Sequence, residues 1–310
     1  MILLKNQNFT NLQLISIPTH LAYNYPMPTK FLKLVSFVFV TVFFLVPGFV
    51  SAHQPRITET RLTSVPDPEI SKAYYGKLTG VPDVYTISSA VPFDLYVGLL
   101  VPDIEGQKTD VSAIVFFNGE QIATLDGSSL TWEKMFEKFG HDNYLKGPEY
   151  KVNAGPGEYQ IGVFSTTNDS KYSLAIGEVE AFDMKEGINA VKLIPQLKKN
   201  FFNKSPIDFI LSPFGWGSIV AMYLLAFIFG FAYRFILKKY AKGTVRGVES
   251  NIGKPDRLLR FAIGVALLLW AITTNWSFIL LFFSGFAFFE AIFSWCGFYA
   301  AIGRNTCPVE

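Results

Sequence analysis

Two stretches without a formal charge, the 24 residues from Ile210 to Tyr233 and the 29 from Phe261 to Phe289, most constrain what this chain can become. A helix of the first length rises roughly 36 Å and crosses a hydrocarbon core of about 30 Å with some tilt. Extended from Arg260 to Tyr299, the second would make a helix of roughly 58 Å, too long for one crossing. Thr273-Thr274-Asn275-Trp276 is its polar interruption, where it can fold back as a hairpin with Trp276 at the outer interface. The pattern predicts three crossings: a helix over 210–237, a basic loop over 238–256, a hairpin over 257–303 and a tail over 304–310.

Charge is divided unevenly around these stretches. Residues 53–203 carry 14 basic and 20 acidic side chains, and the remainder of the chain has a net charge of +8. Lys238, Lys239, Lys242, Arg246, Lys254, Arg257 and Arg260 cluster between the two apolar stretches, against Glu249 and Asp256. Such a loop stays on the cytoplasmic face against anionic lipid, so these seven side chains are the expected membrane anchors and the C-terminus is expected in the cytoplasm. The acidic part is a poor match for nucleic acid, and none is expected as a partner.

Lys30 and Lys33 precede an apolar run from Leu34 to Val46, then Pro47, Gly48 and Val50-Ser51-Ala52, the layout of a signal peptide over 27–52 cleaved before His53. Because a signal starts near its charged region, Met27 is the expected initiator and residues 1–26 a mis-assigned extension. An uncleaved anchor over Phe31–Val50 is the alternative, which would add a fourth crossing. Cleavage would put residue 53 outside, opposite the basic loop.

From Ile57 to about Val191 short alternating or apolar runs replace the long ones. Phe93–Val97, Val111–Phe117, Tyr159–Val163 and Tyr172–Ile176 read as strands, and Asn118-Gly119 is the clearest two-residue turn. Trp132, Met135, Phe136 and Phe139 recur at helical spacing and predict one helix over Thr131–Phe139. The expected fold is an all-β sandwich, jelly-roll or Ig-like, over 53–194, a juxtamembrane linker over 195–209, and an α-helical transmembrane region. Phe201 and Phe202 in that linker are expected at the membrane interface.

Two segments resemble known families. Gly157–Val179 reads as a hairpin, with a Gly-x-Tyr strand followed by a Tyr-x-Leu strand, and resembles the closing hairpin of pre-peptidase C-terminal-type β-sandwiches. That likeness implies a binding or accessory module. Asn251-Ile252-Gly253, Asp256-Arg257, Arg260 and Gly264, with Cys296, Tyr299, Gly303 and Asn305-Thr306-Cys307, resemble the YgaP-type inner-membrane transmembrane domain over about residues 250–308. The likeness implies a two-helix module, found alone or fused to other domains including rhodaneses. No rhodanese active-site loop is present, so sulfur transfer is not implied.

Several side chains invite chemistry. Cys296 and Cys307 could bind a soft metal or exchange sulfur, or simply pack a helix end. Glu290 is the acid within the predicted crossings, costly there unless functional or paired with Arg257 or Arg260. Asp256 and Arg260 fit an i,i+4 pair. Cleavage before His53 would free an α-amino group beside its imidazole, and a copper site of that kind would need His141 as a further ligand. Paired acids such as Asp67/Glu69 lack a calcium-loop spacing, and no hydrolase or phosphate-binding motif occurs. The expectation is therefore a non-catalytic, membrane-anchored display protein for an extracytoplasmic partner or ligand. Its alternatives are an oligomeric transporter of a small anion or sulfur species, with Cys296, Cys307 and Glu290 on the path, and a copper-binding ectodomain.

Overall fold

The computed structural model describes residues 53–240 and 250–307. The expected signal peptide, the extension before it, and Lys242 and Arg246 lie outside the described residues. The first part is a sandwich of strands β1 (Gln54–Ile57), β2 (Leu62–Ser64), β3 (Lys72–Lys77), β4 (Asp83–Ser89), β5 (Phe93–Pro102), β6 (Ser112–Phe117), β7 (Glu120–Leu125), β8 (Glu133–Glu137), β9 (Asp142–Ala154), β10 (Gly157–Phe164) and β11 (Lys171–Ile176). One sheet runs β1-β3-β11-β5-β9-β8 and the other β2-β4-β10-β6-β7.

Period-two alternation makes the core. Leu95, Val97, Leu99 and Val101 of β5 turn inward with Val115 of β6, Ile161 and Val163 of β10, and Leu174 of β11, all fully buried. Each such side chain contributes roughly 1.5–3 kcal/mol relative to exposure. Asn118-Gly119 forms the expected tight turn between β6 and β7, both residues at positive φ (48° and 87°).

Polar groups enter this core only in hydrogen-bonded company. Tyr172 donates its hydroxyl to Asp83 at 2.7 Å and lies 2.8 Å from the hydroxyl of Tyr85, which in turn meets Thr58. Burial raises the Asp83 carboxyl above its usual range, opposed by the Tyr172 hydrogen bond and Arg61. The folded state therefore holds this proton more tightly than the unfolded chain, and its contribution to stability falls as pH rises from about 4 through the folded-state value. Asp83→Asn is expected to flatten the slope of melting temperature between pH 4 and 6. An unchanged slope would show that Asp83 does not set it.

Three expectations are corrected. Residues 131–139 hold strand β8, paired antiparallel to β9 with Met135 opposite Tyr144, and not a helix. Their four apolar side chains share no face: Trp132 joins the sandwich core, Met135 packs near Leu197, Phe136 stands against His141, and Phe139 meets Phe214. A helix of two and a half turns is marginal by itself, whereas the ladder with β9 satisfies the same backbone groups. Gly157–Val179 is likewise no hairpin. β10 pairs with β4 and β6, and β11 with β3 and β5, so the chain crosses from one sheet to the other between them. The linker expected over 195–209 is largely helical.

That helix, α1 (Met184–Asn200), is capped by the Asp183 side chain, which accepts from the Glu186 N–H, and it runs through Pro195. Loss of the Pro195 N–H is offset by a buried stripe of Ala190, Val191, Ile194 and Leu197. Phe201 and Phe202 bury against Tyr144 and Tyr75 rather than at a membrane interface. A 3-10 turn (Pro206–Leu211) then leads into α2 (Pro213–Tyr240), followed beyond residue 249 by α3 (Lys254–Thr273), α4 (Phe278–Phe293) and the short α5 (Gly297–Ile302).

Among the described residues one helix, Pro213–Lys239, is long and apolar enough by itself to cross a membrane. α3 carries four charged residues near its start, and α4 has 16 residues. α4 lies between the other two. Ser284 joins all three, its hydroxyl donating to the Gly264 carbonyl and meeting the Tyr223 hydroxyl at 2.8 Å each. Gly230 of α2 lets the Phe289 ring approach so closely that a Cβ there would sit 2.5 Å from it. Trp276, expected at the outer interface, is 1% exposed: its ring packs on Phe209 and its indole N–H donates to the Pro206 carbonyl at 3.0 Å.

Candidate functional site

Two polar clusters stand out, one at the charged end of the α3–α4 hairpin and one where α1 meets the sandwich. The first gathers nearly every motif residue noted in the sequence. Asn251, fully buried, donates its side-chain amide to the Cys296 carbonyl at 2.9 Å and accepts from the Cys296 N–H at 2.7 Å. Backbone bonds from Asn251 and Ile252 to Ser294, and from Thr306 to Asn251, extend the pairing. Gly253 lies so close to Thr306 that a Cβ there would be 2.2 Å from its carbonyl oxygen. The Gly253 N–H donates to the Thr306 hydroxyl, which donates to Asp256 at 2.8 Å.

Glu290 forms a buried ion pair with Arg260, one of the two partners foreseen for it. Arg260 and Arg304 stand over the Tyr299 ring, at 5.0 and 4.8 Å from its centroid. Asp256 bonds to Thr306, so the expected Asp256–Arg260 pair does not form. Arg257 donates Nε to the Ala291 carbonyl at 2.9 Å, satisfying a backbone acceptor near the end of α4. Cys296 is buried as the cap of α5, its sulfur accepting from the Tyr299 N–H. Cys307 is half-buried beside Ser250. Both thiols are free. This arrangement ties the chain before α3 to the segment after α4, and among the described residues Lys254 and Arg257 are the cations in it that meet no acid or aromatic ring. Lys238 and Lys239 stand in the last turn of α2.

At the second cluster Lys198 of α1, fully buried, places its ammonium 2.8 Å from Asp142 and 3.2 Å from the His141 carbonyl. Lys204 reaches the other Asp142 oxygen at 2.9 Å. Burial pushes Lys198 below the usual lysine range, with Asp142 pulling the other way. Glu137 accepts from the Gly140 N–H at 2.7 Å and from the Phe139 N–H; burial raises its carboxyl against both bonds. Arg56 of β1 grips Glu186 at the start of α1 with two parallel bonds of 2.8 and 2.9 Å. A cavity of about 80 Å³ lies between these groups, edged by His53, Met135, Glu137 and Asp142 and by aromatic rings including Phe182 and Phe214.

None of these ionic contacts was foreseen, although Lys198 falls four residues after Ile194 on the buried stripe of α1. His53 bonds through Nδ1 to the Ser71 hydroxyl, while the His141 ring stands edge-on to Phe136 at 4.9 Å. The structure shows no contact between the two imidazoles. Among the described residues no group of three His, Cys, Asp or Glu side chains is arranged to hold a metal ion.

The pre-peptidase C-terminal domain of a collagenase from Bacillus anthracis is 14% identical, over 42% of this chain and 98% of that one, with a TM-score of 0.24. CorA from Methylomicrobium album BG8, described as a surface-associated copper-binding protein important in copper acquisition, is 8% identical over 40% and 98%, with a TM-score of 0.20. A β-glucosidase from Paenibacillus barengoltzii is 9% identical over 42% and 14%, also at 0.20. Likenesses this slight carry no functional argument, and no curated protein matches the chain in sequence. The helical end is different: residues 248–310 match the family described as inner membrane protein YgaP-like, transmembrane domain, and the hydrogen-bonded clasp lies within that match.

Proposed function

We propose that the chain is a non-catalytic display protein of the cell envelope, its sandwich held outside the membrane to bind a partner or ligand. In this reading α2, α3 and α4 make three crossings and residue 307 faces the cytoplasm. The supporting observation is the mounting. α1 covers the outer face of the six-stranded sheet through Leu197, Phe201 and Phe202 against Tyr75, Leu100 and Tyr144. Its other apolar residues, Ala190, Val191 and Ile194, share a buried cluster with Phe209, Trp276 and Leu281 at the α3–α4 turn. A sandwich tied down through one sheet presents the other, so the outer face of β2-β4-β10-β6-β7 is the surface assigned to the partner.

Cysteine labelling in intact cells tests this. In a Cys296→Ser background, Val91→Cys on the exposed rim of the sandwich is expected to react with a membrane-impermeant maleimide from outside. Native Cys307 is expected to react only after permeabilisation. The opposite pattern, with Cys307 labelled and Val91→Cys protected, would end the display reading.

A further inference from the structure

The clasp leaves two cations unmatched. Lys254 and Arg257 stand in the first turn of α3, and among the described residues neither meets an acid, because Asp256 is engaged by Thr306 and Glu290 by Arg260. Arg257 spends only Nε on the Ala291 carbonyl, and its two terminal nitrogens have no partner among the described residues. Below these charges Leu258, Phe261, Ala291 and Ile292 complete an open groove of about 310 Å³ between α3 and α4. Its walls are exposed, Leu258 at 71%, Phe261 at 51% and Ile292 at 55%. In a transmembrane domain such side chains face acyl chains. A cationic rim above an apolar trough is the complement of an amphiphile with an anionic head.

We propose that this groove seats an anionic phospholipid, its phosphate against Lys254 and Arg257 and an acyl chain along Leu258, Phe261 and Ile292. Charge complementarity selects the class. The headgroup of a zwitterionic lipid brings its own ammonium to the same cations, which cancels most of the attraction, whereas an anionic headgroup keeps it. The guanidinium of Arg257 adds a forked donor suited to phosphate oxygens. Two juxtamembrane cations at their usual worth favour the anionic lipid on the order of 30-fold. This site requires that the helices lie in a membrane and is independent of which side the sandwich occupies.

Native mass spectrometry of the full chain in detergent, titrated with phosphatidylglycerol or phosphatidylcholine, tests the proposal. One phosphatidylglycerol is expected to be retained at a concentration roughly 30-fold below that needed for phosphatidylcholine. Lys254→Gln/Arg257→Gln should erase this preference, and Lys238→Gln/Lys239→Gln, whose charges do not line the groove, should keep it. Lys254→Gln alone, at an exposed position without fold contacts, should lower it about fivefold, which covers the case in which loss of the Arg257–Ala291 bond unfolds the hairpin. Leu258→Trp, which fills the trough and keeps both charges, should weaken retention. Equal retention of the two lipids by the unaltered protein, a preference that Lys254→Gln leaves undiminished, or full competition by glycerol 3-phosphate lacking acyl chains would each overturn the proposal.

Discussion

Replacing Asn251 with alanine is expected to open the clasp and raise the maleimide reactivity of Cys296 tenfold or more, measured in detergent with Cys307→Ser so that one thiol reports. The Asn251 side chain both donates to and accepts from the backbone of Cys296, at 2.9 and 2.7 Å. The site is dry, with Asn251 at 0% and Cys296 at 2% exposure, so alanine would leave a buried N–H and a buried carbonyl without partners. Each orphaned group costs about 1–3 kcal/mol, and every 1.4 kcal/mol lost from the closed state multiplies an open population by ten. Thr306→Val supplies a graded comparison. It removes the acceptor of the Gly253 N–H and the donor to Asp256 but keeps the Asn251–Cys296 pair, so a smaller increase is expected. Cys296 reacting at its original rate in Asn251→Ala would mean that helix packing alone closes this end of the hairpin.

The same cluster shows what was legible in the sequence and what was not. Asn251, Gly253, Asp256, Arg260, Cys296 and Thr306 were noticed together because they match the motif of the YgaP-type transmembrane domain that this segment resembles. The structure joins them by hydrogen bonds. Strands β5, β10 and β11 were legible from short alternating runs, β6 as a short apolar run, and the β6–β7 turn because Asn-Gly tolerates positive φ. Sheet membership was not. Tyr159, Ile161 and Val163 alternate in the same way as Tyr172, Leu174 and Ile176 whether the two strands are neighbours or face each other across the core, as they do here. The spacing of apolar residues over 131–139 fitted a helix because nine residues hold too few repeats to separate the periods, and β9, which supplies the ladder, comes later in the chain. Pro195 hid α1, since a proline inside a helix is tolerated only where packing compensates. With α1 hidden, Lys198 read as part of a basic linker and its burial against Asp142 could not be anticipated.

Asp142→Ala is expected to lower the melting temperature on the order of 10 °C and to detach α1 from the six-stranded sheet while leaving the sandwich core folded. Asp142 is 2% exposed and answers two ammonium groups, Lys198 at 2.8 Å and Lys204 at 2.9 Å. Without it Lys198, itself fully buried, keeps only the His141 carbonyl at 3.2 Å. Removing one member of a buried ion pair costs about 3–5 kcal/mol because the survivor remains charged and unsolvated. For a unit of this size each kcal/mol corresponds to roughly 2–4 °C. The pair itself need not be a net source of stability, since desolvation of both ions offsets much of their attraction. Asp142→Leu/Lys198→Met, which replaces both charges with apolar groups, is therefore expected to melt well above Asp142→Ala and near the unaltered protein, with Lys204 free to turn outward. Hydrogen exchange locates the damage. In Asp142→Ala the amides of Ala190–Asn200 should lose protection while those of β5 and β10 keep theirs, because the sandwich core contains no residue of α1. Uniform loss of protection through both sheets would show that α1 and the sandwich unfold as one unit, and equal melting of the single and double variants would show that the charge left on Lys198 is not what destabilises the junction.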